Sequence, residues 1–307
     1  MTIRFERPVS HAARFAHFLG RFALLLLLVV AVVHRLGLMP TPYFVALALL
    51  SAAIAALALL LALTGLWRLW RVGAVGGRSA IRGLFYSLVP IAVIGFAGYA
   101  YFTQPAIYDV STDTADAPPW LDAPQAAQIW LPRQPEVTAT DRARQVEAYP
   151  GLTGRRYEGA IDRVYVAAKK VAELNGMEIV EASGLANAET DIEDQPVKPE
   201  PDGDVAAEAA AADAPDMVPI PIPRPLEARE TVLIGRSSDV LLQGVVETLV
   251  LGLHFDVMIR LREEAETTFV DVRVASRYGQ NDLGLSAQIA ESYLRNLDAE
   301  LLGIAGT

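Results

Sequence analysis

The sequence predicts a three-helix transmembrane region followed by an α+β domain, in which helices pack on one face of an antiparallel sheet. Two observations lead to this prediction. Long apolar stretches fill the first third of the 307-residue chain and end near Phe102. The remainder alternates amphipathic helical and strand patterns in the order helix, strands, long closing helix. That order is typical of the α+β class.

Residues 1–102 contain three segments long enough to cross a bilayer, which takes roughly 20 helical residues. Residues 43–67 and 84–102 contain no charged residue. Residues 18–38 carry Arg21 near one end and His34 and Arg35 near the other, where charged side chains can reach the head groups. A cleaved secretory signal is the alternative for this first segment, but no clear small-x-small cleavage site precedes the second span.

Arginines predict the orientation, because Lys and Arg near the ends of spans stay on the cytoplasmic side. Four precede the centre of the first span, and four lie around the connection between the second and third: Arg4, Arg7, Arg14 and Arg21, then Arg68, Arg71, Arg78 and Arg82. Residues 1–17 are therefore predicted to be cytoplasmic. Three spans then carry the rest to the opposite face, which is the periplasm if the chain lies in the inner (cell) membrane of a Gram-negative bacterium.

The two parts of the chain differ in charge. Residues 1–102 carry a net charge of about +8 and the remainder about −18. Such an acidic exported part argues against nucleic acid as its partner, because phosphate binding needs a basic face. The chain has no Cys, which excludes disulfides and thiol catalysis.

Two segments of the exported part have a low-complexity composition. Residues 103–137 are predicted to form an extended lead-in, in which Trp120 and Trp130 dock onto the domain's own core; ligand binding or a place at the bilayer surface are the alternatives. The domain itself is assigned to residues 138–307. It is interrupted at about residues 187–225 by an acidic, Pro-rich insertion that is predicted to be disordered and that could dock a partner.

Periodicity predicts the elements of this domain. Residues 160–175 form an amphipathic helix that ends at Asn175 and Gly176. Strand-like runs occupy residues 177–181, 231–234 and 245–251. The clearest alternation, at residues 255–261 and again at 270–275, predicts an antiparallel hairpin. Residues 283–302 form the closing helix.

The segment between the last strand and the closing helix carries a specific motif. Its residues match the pattern Ser-Arg-x-Gly-x-x-Asp-Leu-Gly-x-Asn at Ser276, Arg277, Gly279, Asp282, Leu283 and Gly284, with Ser286 in place of the Asn. On these residues the chain resembles the domain-of-unknown-function 1499 family. The resemblance extends to residues 109–113, 118–119 and 149–150. It implies an architecture and no activity.

The motif has a structural and a functional interpretation. In the structural one, Asp282 accepts the free amides at the start of the closing helix, Gly279 and Gly284 permit a tight turn, and Arg277 pairs with Asp282. In the functional one, Arg277, Ser276 and Asn281 present donors at the opening of a cavity between sheet and closing helix and bind an anionic head group.

Signatures of catalysis are missing from the sequence. His254 is the only His beyond residue 102, so a His-rich metal site or a Ser-His-Asp relay is not expected. No Gly-x-Ser-x-Gly or Gly-x-Gly-x-x-Gly motif occurs. We therefore predict neither an enzyme nor a cofactor or metal site.

Two functions of different classes remain. The first is a membrane-tethered periplasmic domain that binds a lipid or another amphipathic ligand. The second is a structural or assembly protein that recruits an envelope protein partner through its acidic domain and Pro-rich arm. Small residues at Ala52 and Ala56, or at Gly95 and Gly98, predict close helix packing within the bundle or in a homodimer.

Overall fold

The computed structural model describes residues 10–73, 75–185, 239–264 and 266–303. It begins with three helices, α1 (His11–Arg35), α2 (Thr41–Val72) and α3 (Gly77–Thr103), each long and apolar enough to cross a membrane. Each helix begins before the apolar span predicted for it, because flanking polar and basic residues continue the helical hydrogen bonding. The Pro-rich insertion and the predicted strand at residues 231–234 lie outside the described residues.

The three helices pack through small residues, although not through those singled out in the sequence. Helices α1 and α3 meet at Gly20 and Gly83, where a Cβ on Gly20 would lie 2.7 Å from the Gly83 carbonyl oxygen. Ala56 is exposed, and a Cβ placed on Gly95 or Gly98 would meet no described atom within 4 Å outside its own helical backbone. Within the bundle, the prediction for Ala56, Gly95 and Gly98 was therefore wrong, because spacing alone does not tell which face of an apolar helix meets its neighbours; their use in a homodimer stays a prediction. The buried residues of α2 include Ala48, Ser51, Ala55, Ala58 and Ala62.

The described residues after α3 form an α+β domain, as predicted. Its elements are β1 (Asp109–Ser111), α4 (Ala139–Ala148), β2 (Arg155–Glu158), α5 (Ile161–Leu174), β3 (Met177–Ser183), β4 (Val240–Glu247), β5 (His254–Glu264), β6 (Thr267–Ser276) and α6 (Leu285–Leu301). The strands make one antiparallel sheet in the order β1-β6-β5-β4-β3, and β2 also pairs with β6.

The predicted hairpin is confirmed as β5 and β6, in which Val257 pairs with Val274 and Ile259 with Val272. The run at residues 245–251 differs from its prediction. Strand β4 ends at Glu247, and the residues after it form a turn in which the Thr248 amide donates to the Leu253 carbonyl. Gly252 closes this turn at a φ of +66°. Leu249 to Leu251 therefore belong to a turn, despite their strand-like composition.

Both faces of the sheet are covered. Helices α5 and α6 pack on one face, where the core includes Val257, Ile259, Val272, Tyr293 and Leu297. The opposite face carries the alternate, polar residues of β5 and β6, and the lead-in crosses it: Arg260 bonds to Asp116, and Arg273 bonds to the Pro118 carbonyl. The lead-in is thus an integral layer of the domain.

Candidate functional site

The motif at the start of α6 forms a turn organised by Asp282. The Asp282 carboxylate accepts hydrogen bonds from the amides of Gly284 (2.8 Å) and Ser286 (2.9 Å). Gly279 and Gly284 have φ values of +73° and +79°, and Leu283 shares this left-handed conformation at +62°. Asp282 thereby satisfies free amides at the beginning of the helix, where the helix dipole also favours a negative charge. Its burial raises the pKa of the carboxyl.

Arg277 does not pair with Asp282. Its guanidinium makes a bidentate contact with Asp256, with Nε 2.9 Å from Oδ2 and Nη2 2.7 Å from Oδ1. Alternation along the strand explains the difference. Asp256 is paired with Ala275 in the β5–β6 ladder, and Arg277, two residues further on, is its diagonal neighbour on the same sheet face. Asp282 lies beyond the following turn, at the start of α6, and is therefore not a neighbour of Arg277 on the sheet.

The other two predicted ligand-binding residues hold the motif turn together. The Ser276 hydroxyl donates to the Tyr278 carbonyl at 3.0 Å. The Asn281 side chain accepts from the Leu283 amide at 2.8 Å and donates to the Tyr101 carbonyl near the end of α3 at 2.9 Å. Asn281 therefore connects the domain to the helix bundle.

A cavity of about 370 Å³ lies where the motif turn faces the helix bundle. Ser276 and Asn281 line it, but Arg277 does not. Its apolar walls come from both parts of the chain and include Val45, Tyr101, Leu131, Leu253, Phe255 and Leu285. The polar residues His254 and Asp282 also line it. The lining is therefore mostly apolar, with a few polar residues on the side of the motif turn.

This position differs from the predicted one, between the sheet and the closing helix. That interface is filled by side chains of α6 that are at most 3% exposed: Ala287, Ala290, Tyr293, Leu294 and Leu297. Large aromatic and aliphatic residues close this space because α6 lies directly on the valines of β5 and β6. The cavity is instead found at the junction of the domain and the membrane helices.

Several further contacts fix the domain to the bundle. The Trp130 indole donates to the Pro42 carbonyl at 3.1 Å, so this Trp lies against the start of α2 rather than in the domain core. At the end of α1, the His34 Nδ1 donates to the Leu251 carbonyl at 2.6 Å. Arg35 pairs with Glu247, which also lies 2.9 Å from His254 Nε2. Hydrogen bonds and an ion pair between the domain and the ends of α1 and α2 therefore border the cavity.

A polar network beneath the lead-in was not predicted. The buried Asp109 carboxylate forms ion pairs with Arg142 and Arg273, each at 2.9 Å. The Arg273 guanidinium also lies 4.8 Å from the centre of the Trp120 ring. The motif at residues 109–113, which was quoted for the family resemblance, was the signal that could have revealed it. These charges are paired with one another, so the network holds the lead-in on the sheet.

In the part of the chain that the structure describes, no group of three or more His, Cys, Asp or Glu side chains is placed to hold a metal ion. Comparison with curated proteins gave no match, and comparison with solved structures gave none. One family model, described as "Protein of unknown function (DUF1499)", matches residues 131–297, which is more than half of the chain. The match covers the domain from the end of the lead-in to α6, and the chain belongs to the DUF1499 family.

Proposed function

We propose that this chain is an integral membrane protein whose domain binds a lipid or another amphipathic molecule in the cavity between the domain and the helix bundle. The observation that carries the proposal is the position of that cavity. Its walls combine α2 and α3 with the motif turn, so a ligand could enter from the bilayer and place its polar end beside the domain. A mostly apolar pocket with a few polar groups suits such a ligand.

The volume of the cavity limits what it can hold. About 370 Å³ is at the lower end of the range for small-molecule sites, roughly 300–1,000 Å³. A whole two-chain phospholipid would therefore leave part of its length in the bilayer. Among the described residues, no Lys or Arg lines the cavity, and His254, which does, lies 2.9 Å from the Glu247 carboxylate, so the chemistry of the cavity favours a neutral or hydroxyl-rich polar end over an anionic head group.

The arrangement of charges supports a periplasmic domain. The domain contacts the end of α1 and the start of α2 through His34 and Pro42. The arginines of the α2–α3 connection lie at the opposite end of the bundle. Since arginine-rich connections stay in the cytoplasm, the domain would face the periplasm. Alkaline phosphatase fused after Thr307 should then be active in cells, whereas an inactive enzyme would reverse this orientation.

Native mass spectrometry of the full chain, released from lipid nanodiscs, tests ligand binding. We expect a discrete bound mass that survives activation longer than bulk lipid does. Val45→Trp places a large ring on the cavity wall and should remove that mass. Leu57→Trp introduces the same ring on an exposed face of α2 and should retain it. Loss from neither variant, or no bound mass in the parent protein, would contradict the proposal.

Recruitment of an envelope protein is the second candidate. The filled interface between sheet and α6 favours it, and so do exposed apolar side chains at Leu249 and Val250. Crosslinking in intact cells separates the two functions. A photoreactive amino acid at Leu249 should give a discrete protein adduct if this surface recruits a partner, and lipid adducts if it does not.

A further inference from the structure

The turn between β4 and β5 carries the most exposed large apolar side chains of the domain, as far as the structure describes it. Leu249 is 90% exposed and Val250 82%. Leu174, at the end of α5, is also exposed and lines one groove with Leu249. We call these three residues the tip patch. A cluster of apolar residues exposed to this degree marks a surface that contacts another apolar phase.

The tip patch adjoins the membrane helices. The carbonyl of Leu251 accepts the hydrogen bond from His34 near the end of α1. Gly252 lies so close to the same end that a Cβ on it would be 3.3 Å from the Cα of Arg35. The turn is therefore held against the bundle by its backbone, while the side chains of Leu249 and Val250 remain exposed.

The depth of the tip patch can be estimated from α3. Phe96 lines one groove with Leu249 and Val250. This residue lies seven positions before Thr103, the end of α3, which is about 10 Å along the helix axis. The uncharged stretch of α3 continues to Phe102. The β4–β5 turn therefore lies beside a part of α3 that is still within its uncharged, apolar stretch.

Three hydrogen bonds close the base of the turn and fix the position of its tip. The amide of Thr248 donates to the Leu253 carbonyl, the amide of Gly252 to the Thr248 carbonyl, and the amide of Leu253 to the Thr248 hydroxyl. Backbone groups in the hydrocarbon region must be bonded within the protein, since no water is present there. The structure gives no hydrogen bond for the amides of Leu249, Val250 and Leu251, so the backbone of these residues belongs at the hydrated head-group level, and only their side chains can extend towards the acyl chains.

We propose that the β4–β5 turn inserts Leu249 and Val250 into the leaflet on the domain's side of the membrane, at the boundary between head groups and acyl chains. The occupant of the tip patch is then phospholipid. Arg35 and Glu247, paired at the base of the turn, would lie at head-group level. This insertion fixes the height of the domain above the bilayer independently of any ligand in the cavity.

The absence of Cys from the sequence allows a direct test on the full chain. Single variants Leu249→Cys and Val250→Cys are labelled with an environment-sensitive fluorophore in phosphatidylcholine–phosphatidylglycerol nanodiscs. We expect blue-shifted emission, strong quenching by a lipid that carries a nitroxide high on its acyl chain, and weak quenching by aqueous iodide.

Glu266→Cys provides the matched control. Glu266 is exposed in the turn at the other end of β5, about 30 Å away along the strand, so iodide and not lipid should quench its label. Equal iodide quenching at positions 249 and 266 would overturn the proposal. Protection of position 249 from both quenchers would also overturn it, because a second copy or another protein would then cover the tip patch. Melting curves that match the parent protein show that each variant is folded.

Discussion

Arg277 and Asp256 form a bidentate ion pair between the end of β6 and the start of β5. The carboxylate is 4% exposed and the guanidinium side chain 25%, so the pair lies at the margin of the sheet rather than deep in the core. The hydrogen bond to Asp256 raises the pKa of Arg277. Arg277 thus holds the end of β6, the strand that leads into the turn before α6.

Replacement of Arg277 by Ala should destabilise the domain. The change leaves the buried Asp256 carboxylate without its main partner, at an expected cost of about 1–3 kcal/mol in the free energy of unfolding. Urea unfolding of the full chain in detergent, followed by circular dichroism, measures it. The double variant Arg277→Ala with Asp256→Ala should lose less than the single variants together. If Arg277→Ala unfolds as the parent does, the pair is not structural and a ligand role gains support.

Asp282 should give the domain a pH dependence of defined sign. Burial raises the pKa of its carboxyl above the usual value of 3.8, so between the two pKa values the folded chain holds more protons at this group than the unfolded chain does. Its contribution to stability therefore falls as the pH rises from the unfolded pKa to the folded one. The Asp282→Asn variant has no carboxyl at this position, so its stability does not fall with rising pH for this reason.

The test compares the unfolding free energies of the parent protein and Asp282→Asn between about pH 4 and pH 8. The variant loses one acceptor for the amides of Gly284 and Ser286, so it should be less stable at the acidic end. The deficit should shrink as the pH rises. Parallel curves would show that Asp282 has the same pKa in the folded and unfolded chains.

Asp109 is expected to be the most sensitive charged position beneath the lead-in. Asp109→Asn removes a carboxylate that is 4% exposed and leaves the guanidiniums of Arg142 and Arg273 together without their counter-charge. Loss of one partner from a buried ion pair costs about 3 kcal/mol or more. Thermal melting and limited proteolysis between residues 109 and 137 should both show a loosened lead-in.

Glu247→Gln is the matched control for that experiment. The pair of Arg35 and Glu247 has side chains 44% and 42% exposed, and exposed ion pairs contribute at most about 1 kcal/mol. We expect little change in melting. A loss as large as that of Asp109→Asn would mean that contact between the domain and the bundle, rather than burial, controls stability.

The sequence predicted those elements whose burial follows a simple period. Alternation of valines around Asp271 and Arg273 identified β6, and the 3.6-residue period identified α6. The sequence could not assign the second face of the sheet, because the partners of Arg260 and Arg273 lie 144 and 164 residues away in the lead-in. Opposite charges that alternate with buried valines were the available signal.

The tip patch shows a different limit. Leu249 to Leu251 have the composition of a buried strand, yet they form a turn whose apolar side chains point away from the core. Hydropathy reports that a residue avoids water, not whether core or lipid replaces the water. The same ambiguity placed the predicted cavity inside the domain, although the apolar residues at its actual site come from the domain and the membrane helices together.

The closest approach within the bundle makes a final prediction about its packing. A Cβ on Gly83 would lie 2.7 Å from the backbone carbon of Ala16, a contact that only movement of α1 or α3 can relieve. Gly83→Ala should therefore cost about 1–3 kcal/mol as an overpacked contact and lower the melting temperature in detergent. Gly95→Ala adds the same methyl group where no atom lies within 4 Å, and its better helix propensity should leave the bundle unchanged or slightly more stable. Equal losses from both variants would contradict the assignment of the effect to the α1–α3 contact, because backbone entropy alone favours Ala over Gly in a helix.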